Sequence, residues 1–381
     1  IITPSSIGLI MQSGEVLGNE PKVTWSKMEK VKKEISAINY KKATIPDEYN
    51  QLTIRCKGDF GILFRAYNDG VAYRIFTSRK EDLTVKNEMV NFNFAEDHKA
   101  FIPFVRDLRG TEIYVNSFEA LYKEINISKI NEDTVGFLPL LVDVGDGKKA
   151  VILEADVEDY PGMFVNVNQE TRKGLIGEFA PYPLEEKQGG FNMLNLMVTK
   201  RADYIAKTRG TRSFPWRAIV ISQQDKELLN NDIVQKLAAQ PRIADISWIK
   251  PGKVAWDWWN NWNISHVDFK AGINTPTYKY YIDFAAANKI EYIVMDEGWS
   301  VSTDMTKGSS QIDLEEIVKY GKEKGVGVIL WATWYALTRQ MDEVFEKYSA
   351  MGVKGFKIDF FDRDDQKAIA STYEIAEKAA K

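Results

Sequence analysis

Gly355-Phe-Lys-Ile-Asp-Phe-Phe361 decides the fold: a short strand-like run with Lys357 and a carboxylate, Asp359, near its end. A strand set between helical segments belongs to a parallel sheet covered by those helices. Its flanks agree. Arg339 to Met351 and Asp365 to Ala380 carry apolar residues at helical spacing. Working backwards, Val326-Gly-Val-Ile-Leu-Trp331 is another strand, Leu314 to Lys324 a helix, and Tyr292-Ile-Val-Met-Asp-Glu-Gly-Trp299 a strand. Before those, Thr277-Tyr-Lys-Tyr-Tyr-Ile-Asp-Phe-Ala-Ala-Ala287 reads as an amphipathic helix and Val254-Ala-Trp-Asp-Trp-Trp259 as a first strand. Strand and helix therefore alternate four times from residue 251 onward, which calls for a parallel sheet or a barrel.

Upstream the pattern is different. Gln51-Leu-Thr-Ile-Arg-Cys56, Ile62-Leu-Phe-Arg-Ala-Tyr67 and Val71-Ala-Tyr-Arg-Ile-Phe76 alternate apolar and polar residues, and Asn68-Asp-Gly70 is a strong hairpin signal between two of them. Ala150-Val-Ile-Leu-Glu-Ala155 and Arg217-Ala-Ile-Val-Ile-Ser222 continue the series. Many short strands without helices between them predict a β-sandwich over 1–250, followed by an α/β domain over 251–381. A (β/α)8 TIM barrel takes roughly 250 residues, so the second domain is expected to be the first half of one, interrupted after Lys381.

Composition narrows the chemistry. The 381 residues carry a net charge of −4, which gives no broad basic surface and argues against nucleic acid. No stretch is long and apolar enough to span a membrane. The single cysteine, Cys56, lies in a strand and is expected to be a packed thiol. Two histidines, His98 and His266, leave little room for a histidine triad or a histidine-rich zinc site. Hydrolytic chemistry then falls to carboxylates. The opening Ile1-Ile-Thr-Pro has neither an initiator methionine nor a basic-apolar leader.

In a βα fold the site is expected at the C-terminal ends of the strands. Those ends carry Asp257, Trp258, Trp259 and Asn260, then Asp296, Glu297 and Trp299, then Trp331, Thr333 and Trp334, and finally Lys357, Asp359, Asp362, Arg363 and Asp364. Carboxylates and tryptophans on one rim are what glycoside hydrolysis needs: one carboxylate to attack or to direct water, one to protonate the leaving oxygen, and flat rings for sugar faces. Trp258, Asp296, Glu297, Trp299, Trp331 and Lys357 are the substrate-binding candidates. A magnesium-dependent barrel enzyme with three acids on a metal is the competing reading.

Four segments carry a resemblance: Phe214-Pro-Trp-Arg-Ala-Ile-Val-Ile-Ser222, Tyr281-Ile-Asp-Phe-Ala-Ala-Ala287, Asp296-Glu-Gly-Trp299, and the run from Gly355 through Asp362-Arg-Asp-Asp-Gln366. In order, they resemble glycoside hydrolase family 97. That resemblance implies an N-terminal β-super-sandwich joined to a catalytic (β/α)8 barrel. It also implies a periplasmic or otherwise extracytoplasmic α-glucosidase or α-galactosidase of the kind found in gut Bacteroidetes. Inverting members carry glycine where retaining members carry aspartate, and Lys357-Ile-Asp359 resembles the retaining pattern. Asp359 is thus the expected nucleophile of a retaining exo-α-galactosidase acting on terminal α-galactosides. Lys357, two residues earlier on the same strand face, is placed to favour the anionic form of Asp359 or to bind a sugar hydroxyl. The resemblance further implies a calcium ion beside the leaving group. Phe118-Glu119-Ala-Leu-Tyr122 resembles the motif of one of its ligands, so Glu119 is the metal candidate and Glu112 its rival. The remaining ligands and the acid/base glutamate are expected beyond Lys381. An α-glucosidase of the same family and a non-catalytic carbohydrate-binding protein stay open as alternatives.

Overall fold

The computed structural model describes residues 1–105 and 112–381. The chain divides into two compact units: a β-rich one (Ile1–Glu185, Thr199–Ala244 and Asp362–Ala370) and an α/β one (Glu186–Val198, Asp245–Phe361 and Ser371–Lys381).

The β-rich unit is two antiparallel sheets with a shared core. One runs through Ile7–Met11, Leu83–Asn93, Gly174–Phe179 and Met163–Val167; the larger runs from Val23–Ser36 through Trp216–Ser222 and Lys148–Ala155 to Tyr122–Asn126. Leu9, Val85, Val90 and Phe92 from the first sheet pack with Ile75, Ile102, Val142, Ile152 and Ile219 from the second. The predicted hairpin closes as read: Tyr67 pairs with Gly70 around Asn68-Asp69. The strand Trp216–Ser222 explains its own near-continuous apolar sequence, because both of its faces are covered. Ile219 faces the core between the sheets, while Trp216, Ala218 and Val220 meet Tyr49, Tyr67 and the short helix Ile233–Leu237 on the other side. Arg217 shares the inner face and is sealed there. It donates to both oxygens of Glu88 and to Glu154, with side-chain exposures of 0%, 4% and 14% for Arg217, Glu88 and Glu154.

The α/β unit is built on four parallel strands, here β1 (Val254–Trp256), β2 (Tyr292–Met295), β3 (Gly327–Thr333) and β4 (Gly355–Asp359), side by side in that order. The helices α1 (Thr275–Ala287), α2 (Leu314–Lys324), α3 (Trp334–Met351) and α4 (Gln366–Ala380) follow them in turn. Each of the first three helices has a side-chain N-cap: Asn274 accepts from the Thr277 N–H, Asp313 from Glu316, and Thr333 from Ala336.

Three expectations change in detail. The first strand stops at Trp256, and Asp257–Asn260 turn into a 3-10 helix. The third helix begins at Trp334, directly after β3, with a kink at Gln340. A short hairpin, Ser300–Val301 with Asp304–Gly308, leaves the end of β2 before α2 begins. Its few residues are mostly polar and carry no period for a sequence reading to catch.

Candidate active site

Strand alternation sorts the site residues. Phe356 packs against Phe345 and Tyr348 of α3, so Gly355, Lys357 and Asp359 point to the opposite face of the sheet. Register sets Trp331 beside Lys357 and Thr333 beside Asp359. The neighbouring strand ends bring in Trp256 and Asp296.

The result is a connected polar cluster. Lys357 Nζ donates to Asp296 Oδ2 at 2.6 Å and lies 3.6 Å from Asp359 Oδ2. The Trp256 indole N–H reaches the same Asp296 oxygen at 2.6 Å, and the Lys357 ammonium sits 4.4 Å from the Trp256 ring centre. Asp359 accepts the Trp331 indole N–H on one oxygen at 3.1 Å and the Phe360 N–H on the other at 2.9 Å. Phe360 holds a left-handed backbone, φ 63°, immediately after the carboxylate. For a bulky residue this is a strained conformation, of the sort that gathers at functional turns. Exposure separates the partners: Asp296 is 5% exposed, Lys357 33% and Asp359 43%. Asp359 is therefore oriented by fixed donors and still open to a reacting atom.

Beneath Asp296 lies a second carboxylate. Both oxygens of Asp257 accept the Asp296 N–H, at 3.2 Å each, and one accepts the Trp262 indole N–H at 2.9 Å. Burial is the main reason its pKa is pushed up to about 6, and the Asp296 charge adds to it. With 1% exposure this proton is sealed, so Asp257 supports Asp296 rather than meeting a leaving group.

The other candidates divide. Trp258, 53% exposed, stacks on Trp256 with ring centres 5.8 Å apart and leaves a face free. Glu297 accepts from the Ser302 hydroxyl at 2.9 Å and is half-buried. Trp299 cannot be a sugar platform. It is 1% exposed, packs edge-on against Tyr348, and donates its indole N–H to the Trp331 carbonyl at 2.8 Å. Gly298 allows that turn, with φ at +110° and Ile273 so close that a Cβ would meet it at 2.6 Å. Trp331, 3% exposed, touches Asp359 through its N–H and is too buried for its ring to serve as a sugar wall. After β4 the following helix is capped by Asp365, which accepts from the Ala368 N–H. Trp256, Trp262 and Phe360 were missed as site residues. Period-two counting inward from Val254 would have found the first of them.

Glu119 is exposed on its loop, and Glu112 is engaged by the Arg201 guanidinium. Among the described residues no three of His, Cys, Asp and Glu gather as a metal cage. A calcium ion takes six to eight oxygens, of which Glu119 would supply one side chain, so no chemical step is routed through a metal.

Two family models cover the chain: Glycosyl-hydrolase 97 N-terminal over residues 1–240 and Glycoside hydrolase 97 over 258–381. The chain belongs to glycoside hydrolase family 97. It is 44% identical over its whole length to a retaining alpha-galactosidase of Bacteroides thetaiotaomicron, covering 58% of that protein. A probable retaining alpha-galactosidase of Streptomyces bingchenggensis is 27% identical over 82% of the chain, which covers 44% of that protein. The chain thus spans about half the length of these curated relatives. Among solved structures, a family 97 enzyme from Pseudoalteromonas sp. strain K8, in complex with acarbose, matches all of the chain at a TM-score of 0.82 and 21% identity, over 60% of its own length. That likeness speaks for the fold.

Proposed function

We propose that the intact protein is a retaining exo-α-galactosidase with Asp359 as its nucleophile. The observation that carries this reading is the Asp359 carboxylate itself: half open at a strand end, held by two N–H donors, with Lys357 beside it. The 44% identity to a retaining alpha-galactosidase supports the same substrate class.

In the first step an Asp359 oxygen bonds to the anomeric carbon as the bond to the leaving oxygen breaks, and a second carboxyl group gives that oxygen a proton. In the second step water, deprotonated by the same group, attacks the anomeric carbon and frees Asp359. Two inversions give net retention. The Lys357–Asp296 pair offers a donor and an acceptor to hydroxyls of the sugar being cleaved. Asp257 is too enclosed to be the acid, so that role falls to a carboxyl group outside this cluster. The unbroken strand order β1-β2-β3-β4 fits one stretch of a (β/α)8 barrel, and we read the α/β unit as such.

The test is proton NMR of the sugar first released from nitrophenyl α-galactoside and nitrophenyl α-glucoside by the intact protein. Early α-galactose supports the reading. Early β-anomer, or preference for the glucoside, overturns it.

A further inference from the structure

One hairpin carries the glycine pair Gly189-Gly190 at the entry to its tip. Its strands are Pro183–Gly189 and Asn195–Arg201, and its tip, 190–194, is an unusual piece of backbone. Gly190, Asn192 and Met193 all take positive φ, at 71°, 49° and 62°. A side chain at 190 would run into Asn195, with Cβ only 2.3 Å from its Oδ1. Two non-glycine residues in the left-handed region cost of order 1–3 kcal/mol each. The tip therefore persists because the surroundings impose it. Leu194 and Asn195 are buried, at 2% and 1% exposure, while Phe191 and Met193 stand out at 59% and 52%.

The tip meets the site at one residue. Asn195 Nδ2 donates to the Phe360 carbonyl at 3.3 Å, and the Phe191 ring lies parallel to the Phe360 ring, 3° between planes and 6.3 Å between centres. Phe360 in turn meets Trp331 edge-on at 6.1 Å. Phe360 follows Asp359 directly, and Trp331 donates to it. The two flanks of the nucleophile thus differ in chemistry. Towards β2 stand Lys357 and Asp296, a charged pair suited to the hydroxyls of the sugar that is attacked. At the β4 end stand Phe360 and the exposed Phe191, apolar faces with no polar partner to offer. They suit the flat face of a second ring, the one that leaves.

We infer that Phe191 determines specificity for the leaving group, stacking on a ring attached to the galactoside. The inference rests on Asp359 being the nucleophile, and the test separates the two. The substrates are α-galactosyl fluoride, whose leaving group has no ring, nitrophenyl α-galactoside and an α-1,6-linked galactosyl-glucose disaccharide. Stacked aromatic contacts are worth about 0.5–1.5 kcal/mol, so Phe191→Ala is expected to lower the ratio of disaccharide to fluoride kcat/KM by about 3- to 10-fold. The nitrophenyl ratio should fall with it, and Phe191→Tyr should restore both. A fall shared equally by all three substrates, or no change in the ratios, overturns the inference. If the wild-type protein turns over none of them, it is the nucleophile reading that has failed. Calorimetry with the disaccharide and with free galactose then decides the matter for Phe191: weaker binding of the disaccharide alone in Phe191→Ala upholds the inference, and equal effects refute it.

Discussion

Two clusters of carboxylates and cations, one in each unit, share their chemistry and differ in what surrounds them. In the β-rich unit Arg217 is clamped between Glu88 and Glu154 in the core between the sheets, with no solvent at Arg217 and little at either carboxylate. Burial pushes the Glu154 carboxyl up while the Arg217 charge pulls it back. In the α/β unit Lys357 bridges Asp296 and Asp359, and the cluster opens towards solvent in steps, from sealed Asp257 through Asp296 to half-exposed Asp359. The closed triad is a structural device, in which each charge offsets the desolvation of the others. The graded one keeps a single carboxylate oriented and reachable.

The contrast can be broken by mutation. Asp359→Asn should cut kcat/KM for nitrophenyl α-galactoside by about 1,000-fold or more, roughly 4 kcal/mol in the barrier. A thermal melt should move little, because the side chain is half exposed. Arg217→Met should do the reverse, costing about 3–5 kcal/mol of stability in denaturant titrations by stranding two buried carboxylates. Replacing Glu88 and Glu154 by leucine in the same chain should recover much of that loss. If Arg217→Met leaves stability unchanged, the triad is not the closed device described here.

The same contrast marks where the sequence could be read. The four βα units were legible because strands covered on both faces leave near-continuous apolar runs, as in Tyr292–Met295 and Gly327–Thr333. The strand-end carboxylates were legible from the runs they close, and Asp359 stood out among them through the resemblance of Lys357-Ile-Asp359 to the retaining pattern. Trp299 was misplaced because one glycine, Gly298 at φ +110°, turns its ring into the interior, and composition does not show a turn. Trp331 was assigned to sugar, and instead it orients Asp359. Phe191 was missed because its meaning comes from Phe360, 169 positions along the chain.

Smaller effects sharpen the picture further. Asp257 binds its proton more tightly in the native state, with its pKa pushed up to about 6, than in the unfolded chain. Between about pH 4 and pH 6 the folded protein therefore holds more protons, and stability should fall as pH rises through that window, by at most about 3 kcal/mol. Asp257→Asn should flatten that slope in melts taken from pH 4 to 7, and an unchanged slope would remove Asp257 as its source. Trp331→Phe, which deletes one N–H donor to Asp359, should lower kcat/KM by about 10-fold, in line with a hydrogen bond to a charged group.

The most direct test of the central claim is to trap the intermediate. The intact protein would be incubated with 2-deoxy-2-fluoro-α-galactosyl fluoride, digested, and its peptides weighed by mass spectrometry. The account predicts a fluorogalactosyl adduct on the peptide carrying Asp359, lost in Asp359→Asn. An adduct on another carboxylate, or turnover of galactosides with no adduct at all, would contradict it.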